Sequence, residues 1–174
     1  MAENVALSVV SSLHTGNFYA QVAIGKEVTS NDKQGYWFVV VDRSTLKIVD
    51  SINQTANNTV PNLGTHNTAD HILIVATAGV GLDKTPQGDL FKFIDVNGGG
   101  RELRRVEQIG RQFNCGHYGT FGYAMVGILG SQNKPGFELS EISGSRSGPF
   151  LALSLIPTKI GTKTIYTPAT LSNS

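Results

Sequence analysis

The sequence predicts one domain of the α+β class that is rich in β-structure. Its 174 residues suit a single domain, and 40% of them are apolar, which is enough for a sizeable core. Charged residues make up only 16% while glycine is frequent, a composition that favours strands joined by many turns. Several apolar runs rich in β-branched residues accompany one amphipathic helical stretch.

Residues 35–50, GYWFVVVDRSTLKIVD, are the segment around which the chain is organised. The unbroken apolar run from Tyr36 to Val41 predicts a strand buried on both faces, with Trp37 in the core. Asp42 opens a polar turn, and the alternating residues 46–50 predict the returning strand of a hairpin.

Other strands are predicted wherever β-branched or aromatic residues cluster between turn signals. Residues 52–68 contain five asparagines and predict a long polar loop. Residues 167–174 are polar and predict a C-terminal tail after a domain that covers 1–166. The predicted strands are residues 5–11, 18–24 with a short extension at 28–29, 72–77, 121–129, 137–142, 150–157 and an edge strand at 160–166.

Two helices are predicted between the central strands. Thr85 as N-cap and Pro86 as the first helical residue predict the start of one helix, which the three glycines 98–100 end. Residues 101–113 predict the second. The apolar residues of its predicted buried face are Leu103, Val106, Ile109 and Phe113.

Charge and hydropathy argue against several functional classes. The net charge of +1 and the lack of a basic stripe are not typical of a nucleic-acid-binding protein. We expect no signal peptide at the N-terminus and no membrane insertion, because no apolar run reaches the ~20 residues that a spanning helix needs. Cys115 is the only cysteine, so no intrachain disulfide can form. The compartment stays open.

A set of glycines and apolar strands carries a family resemblance. Ser11, Gly16 and Gly25 lie early in the chain, and Gly35 precedes the VVVD segment. Residues 72–79 read ILIVATAG, the second helix ends in Ile109-Gly110, and residues 123–130 read YAMVGILG. This pattern resembles the interleukin-like EMT inducer (ILEI) domain family, also called PANDER or GG domains.

The resemblance implies two twisted, mainly antiparallel β-sheets with flanking helices, and a non-catalytic role. Secreted members look like signalling proteins, and a similar domain in the stem of a protein O-mannose N-acetylglucosaminyltransferase binds a glycan. The secreted members have paired cysteines, which this chain lacks. The stem domain uses arginines and an aspartate where this chain has Gln34, Ala78 and Thr120, so those pocket residues do not carry over.

Three motifs invite chemical interpretations that we weigh against plainer ones. His66, Asp70 and His71 match no established metal-ligand spacing, so we expect a solvated loop edge and no metal. Cys115 and His117 are nearly adjacent in sequence, whereas a catalytic thiol and its base are usually brought together by the fold. Glycines 98–100 before a helix could cradle an anion, although no P-loop signature follows.

Two glycine-containing loops, 78–84 and 114–120, hold the candidate ligand-binding residues Asp83, Asn114, His117 and Tyr118. If strands 72–77 and 121–129 are neighbours, both loops lie at one end of a sheet. They would offer a carboxylate, an amide, an imidazole and an aromatic stacking face, which suit a neutral polar ligand such as a sugar.

The expected function is a non-enzymatic, lectin-like recognition module that binds a glycan or another cell-surface ligand, with no cofactor. The alternative is a structural or assembly protein, such as a virion or phage tail subunit. A homo-oligomer fits either role.

Overall fold

The computed structural model describes residues 2–13, 18–113, 119–131, 134–142 and 148–171. These residues form a single α+β domain with two antiparallel sheets, of five and six strands, and two α-helices. The strands of the described residues are β1 (Val5–Ser11), β2 (Ala20–Ile24), β3 (Glu27–Asn31), β4 (Gly35–Asp42), β5 (Ile48–Gln54), β6 (His71–Ala78), β7 (Val80–Gly81), β8 (Thr120–Ile128), β9 (Phe137–Ile142), β10 (Phe150–Ile160) and β11 (Lys163–Thr170).

The five-stranded sheet has the order β11-β10-β1-β2-β3, and the six-stranded sheet has the order β5-β4-β6-β8, with both β7 and β9 paired to β8. All the pairings between these strands are antiparallel. The fold class and the central hairpin predicted from the sequence are therefore confirmed.

Strand β4 is buried on both faces because it lies between two separate hydrophobic layers. Tyr36, Phe38 and Val40 face the helices, while Trp37 and Val39 face the five-stranded sheet. The Trp37 Nε1–H donates to Ser51 Oγ at 2.9 Å, so its one polar group is satisfied. The prediction that Trp37 belongs to the core is confirmed.

The two helices are α1 (Gly88–Val96) and α2 (Arg101–Gln112). Both cover the side of the six-stranded sheet that is turned away from the five-stranded sheet. The predicted start at Thr85 and Pro86 is wrong, because Gln87 is the N-cap. Gly88 has φ 54°, in the left-handed region, and no right-handed helix can run through that residue from Pro86. Within the described residues, no helix is both long enough and apolar enough to span a membrane.

The predicted buried face of α2 is only partly correct. Leu103 and Val106 are buried, whereas Ile109 is half-buried and Phe113 is 70% exposed. Phe113 is the C-cap residue of α2, beyond its last helical residue Gln112, and its side chain is mostly in solvent.

A buried glutamate holds the start of α2. Glu138 on β9 is 2% exposed at its side chain, and its Oε1 accepts the backbone N–H groups of Arg101 and Glu102 at 3.0 and 3.2 Å. Its Oε2 accepts the Tyr123 hydroxyl at 2.7 Å. Burial and the adjacent carboxylate raise the pKa of Tyr123 well above its ordinary value. A side chain of the protein therefore supplies the anion for this helix N-terminus.

Three further boundaries differ from the sequence predictions. Strand β5 begins at Ile48 because Leu46 has φ 57° and takes the left-handed turn position. It also extends to Gln54, into the predicted polar loop. Strand β11 continues to Thr170, so the predicted tail boundary at residue 167 is wrong, since Thr167 pairs with Ile156 and Pro168 with Leu155.

Truncation of the α2 face should separate its buried from its exposed positions. Leu103→Ala should lower the free energy of unfolding by about 2–5 kcal/mol, because it leaves a cavity against the sheet. Phe113→Ala on the same segment should change it by less than about 0.5 kcal/mol. Chemical denaturation of both variants measures the difference, and equal effects would refute the assigned face.

Removing the charge of Glu138 should destabilise the protein, whereas removing that of Glu141 on the same strand should not. Glu138→Gln weakens the charged hydrogen bonds to α2 and should cost about 1–3 kcal/mol of unfolding free energy. Glu141 is exposed, so Glu141→Gln is the matched control. A Glu138→Gln midpoint equal to that of the control would contradict the anchoring role.

The turn at Asp42 should make stability depend on acid pH. Hydrogen bonds from the Ser44 hydroxyl, together with those of Thr45, lower the pKa of Asp42 from 3.8 to about 2. A lowered folded-state pKa contributes stability above pH 3.8 that is lost as pH falls toward 2. The stability difference between wild type and Asp42→Asn should therefore shrink over that interval in urea titrations, and a constant difference would disprove the linkage.

Candidate functional site

A buried junction positions one end of the six-stranded sheet. Ser11 Oγ donates to the Thr77 carbonyl at 2.6 Å, and the backbone N–H of Tyr123 donates to Thr77 Oγ1 at 2.9 Å. The end of β1 thereby enters the space between β6 and β8, and Ser12 forms a parallel bridge with Ala78. Beyond it, Gly79 turns the chain with φ 60° and β7 rejoins β8.

A cleft of about 450 Å³ opens beside this junction, at the ends of β4 and β6. Its volume lies in the range usual for small-molecule sites. Backbone, amide, hydroxyl and ammonium groups supply its polar surface. The lining residues are Gln34, Gly35, Thr55, Ala56, Asn57, Gly79, Val80, Gly81 and Lys84.

Glycine at position 35 is needed for the shape of the cleft. Gly35 has φ 116°, and a side chain there would overlap the carbonyl oxygen of Gln54 on the partner strand. The hairpin can therefore bring residues 55–57 beside β4 without a bulky group between them. Gln54 holds the same loop through its Nε2, which donates to the carbonyls of Ala56 and Thr59 at 3.0 and 2.7 Å.

Hydrogen bonds fix the walls of the cleft to each other. Asn57 Nδ2 donates to the Thr85 carbonyl at 3.0 Å, and Gln34 Nε2 donates to the Gly79 carbonyl at 2.9 Å. The buried Tyr36 hydroxyl donates to the carbonyl of Lys84, and burial raises the pKa of this phenol. The cleft is therefore held open in a defined shape before any ligand enters it.

The chemistry of the cleft is neutral and hydrogen-bonding, with one cation. Lys84, Gln34 and Thr55 are exposed and can donate or accept at the rim. Among the residues that the structure describes, none that lines the cleft has an aromatic ring. A ligand with several hydroxyl or carbonyl groups would match this surface, whereas a polyanion would meet only a single ammonium group.

The structure confirms the strand pairing on which the predicted neighbourhood of the two loops depends, and it describes only residues 119 and 120 of the second loop. Strands β6 and β8 pair, and the Leu82 N–H donates to the Gly119 carbonyl at 2.8 Å. Residues 78–84 are not an open loop, however, because they form β7 and the 3-10 helix Leu82–Lys84. Asp83 is exposed on that helix, and its Oδ1 lies 2.5 Å from the position that a Cβ on Gly81 would take. Asn114, His117 and Tyr118, like Cys115, lie outside the described residues.

None of the described residues that line the cleft was selected from the sequence as a ligand-binding candidate, and those with polar side chains include Gln34, Asn57 and Lys84. The hairpin itself is the signal that could have identified the first two. Because Tyr36 pairs with Gln54, the residues just before β4 and just after β5 must meet at one end. The position of Lys84 at the cleft could not be predicted from the sequence, because it depends on how β7 and the 3-10 helix fold.

The other sequence candidates have structural partners. His71 Nδ1 and Thr68 Oγ1 are 3.0 Å apart, and His66 Nδ1 lies 3.7 Å from Asp50 Oδ2. In the part of the chain that the structure describes, no group of three or more His, Cys, Asp or Glu side chains is placed to hold a metal. The α2 N-terminus that follows glycines 98–100 already accommodates Glu138.

A second and larger cavity of about 570 Å³ lies at an open edge between the sheets. Val5, Val22, Ile24, Leu46 and Ile48 make much of its wall, with Glu27 and Lys47 among the remaining residues. It is mainly an extension of the apolar core and offers fewer convergent polar groups than the cleft.

No protein-family model matches the chain, and the curated proteins contain no match to it.

Proposed function

We propose that this chain is a non-catalytic recognition module that binds a carbohydrate in the cleft beside Gly35 and Gly79. The observation that carries the proposal is the cleft itself, which is preorganised by hydrogen bonds and offers neutral polar groups at a ligand-sized opening. Neutral sugars present many hydroxyl groups and no net charge, so amides, hydroxyls and one ammonium group can satisfy their hydrogen-bonding capacity.

The positions of individual donors support a sugar over an anionic ligand. Gln34 uses its Nε2 on Gly79, which leaves its side-chain carbonyl oxygen as an acceptor. Lys84 adds an exposed donor to the cleft lining, and Asp83, which lies in the same 3-10 helix but does not line the cleft, is an exposed acceptor beside it. The resemblance to ILEI domains, one of which binds a glycan, points to the same class of ligand.

A structural subunit of a multimeric particle is the second candidate function. The charged fraction of only 16% favours it. A glycan-array screen combined with light scattering separates the two roles. Glycan binding supports the module, and a large assembly that binds no glycan supports the subunit.

Substitution of the cleft's cation and amide should weaken glycan binding. With a glycan identified on the array, Lys84→Ala and Gln34→Ala should each raise its dissociation constant, with a loss of at least about 1 kcal/mol for a hydrogen bond. Asp83→Ala and Tyr118→Ala test two of the ligand-binding candidates selected from the sequence in the same titration. Isothermal titration calorimetry provides the measurement.

Lys92→Ala is the matched control for Lys84→Ala, because Lys92 is exposed on α1 and does not line the cleft. The control should bind the glycan as wild type does. Unchanged affinity in both Lys84→Ala and Gln34→Ala, with native melting temperatures, would place the ligand elsewhere. An array on which the folded protein binds nothing would contradict the carbohydrate proposal.

A further inference from the structure

The outer face of the five-stranded sheet has no layer over it among the described residues. Its inner face packs against the six-stranded sheet through residues such as Leu7, Val9, Val22 and Leu153. Both helices lie on the far side of the molecule, against the other sheet. The alternate positions of β1, β2, β3, β10 and β11 therefore point away from the protein.

These outward positions, which we call the outer face, carry one charged side chain, that of Lys163 at the turn end of β11. Strand register identifies them, since each pairs with another outward position on the neighbouring strand. They are Ala6, Ser8, Val10, Gln21, Ala23, Val28, Ser30, Phe150, Ala152, Ser154, Ile156, Thr158, Ile160, Lys163, Ile165, Thr167 and Ala169. A solvent-facing side of an antiparallel sheet is usually polar, commonly with charges that prevent association.

The centre of the outer face is made of small residues. Ser8 lies opposite both Ala152 and Ala23, and Ala6 lies opposite Ser154. Alanine is depleted in strands, so its repeated use here does not serve strand formation. Small side chains instead make the surface flat and allow another sheet to approach to about 10 Å. Larger apolar groups flank this centre, with Val28 and Phe150 each 59% exposed.

We propose that the outer face is a dimerisation surface that packs against the same face of a second copy of this chain. In a two-fold dimer the same patch occurs on both partners, so a charged face would meet its own charge. The one charge among the outward positions listed above, Lys163, lies at an end of the edge strand β11, so the rest of the face is free of that repulsion. Arg43, whose Nη2 donates to Thr167 Oγ1 at 2.9 Å, also reaches the face only at the β11 edge.

The area is sufficient for a specific but weak dimer. Five strands spaced about 4.8 Å apart and about seven residues long at 3.3 Å per residue cover roughly 550 Å² of flat surface. Two copies would bury roughly 1,100 Å² together, which is just above the ~1,000 Å² expected of a biological interface. Dissociation constants in the micromolar range are therefore expected.

Sedimentation velocity of the full chain, over concentrations from about 1 to about 500 μM, tests the proposal. Wild type should shift reversibly from monomer to dimer. Ser8→Arg places a charge at the centre of the face and should raise the dissociation constant at least ten-fold. Its melting temperature should show that the domain is still folded.

If Ser8→Arg does not fold, two exposed valines provide a second test. The fold should tolerate a lysine at either position, and only one of the two lies on the outer face. Val28 lies on the outer face, and Val49, which is 37% exposed, lies on an edge strand of the other sheet. Val28→Lys should weaken the dimer several-fold, whereas Val49→Lys should leave it unchanged. Wild type that stays monomeric throughout, or a Val28→Lys variant that associates as strongly as Val49→Lys, would overturn the proposal.

Discussion

The contact among Ser11, Thr77 and Tyr123 fixes how the two sheets meet. Two buried hydroxyl groups replace the regular ladder at the point where β6 separates from β8. A buried polar group without a hydrogen-bond partner lowers stability. Here the Ser11 and Thr77 hydroxyls bond to each other and to backbone groups. The same separation turns the chain at Gly79 and leaves the cleft beside it. The candidate site is therefore a consequence of how the sandwich closes at this end.

The helix layer depends on a second satisfied polar group, the carboxylate of Glu138. It lies between a helix N-terminus and the buried hydroxyl of Tyr123, so α2 has a defined position on β8 and β9. The glycines before α2 make this approach possible, because a Cβ on Gly99 would lie 2.5 Å from the Tyr123 hydroxyl oxygen. An anion cradle was one interpretation of these glycines, and the anion present is the protein's own.

The sequence predicted the central strands well because their signal is local. An unbroken apolar run such as Tyr36–Val41 predicts a strand buried on both faces, whatever its position in the fold. The start of α1 was mispredicted because the left-handed Gly88 decides it, and the burial of Phe113 was mispredicted because the helix already ends at Gln112. The cleft could be predicted only in part. Its walls join segments more than 40 residues apart, as the Gln34–Gly79 contact shows.

The outer face also bears on the choice between a recognition module and a particle subunit. An open, growing assembly needs two different surfaces that fit each other, whereas a closed dimer needs one surface that fits itself. The five-stranded sheet presents one continuous patch whose only charged position, Lys163, lies at an end of its edge strand, and such a patch meets the second requirement. Since the cleft is lined by β4, β7 and their loops, pairing through the outer face would use none of its lining residues. Two such clefts in one dimer would increase the avidity for a multivalent glycan without any new contact to the sugar.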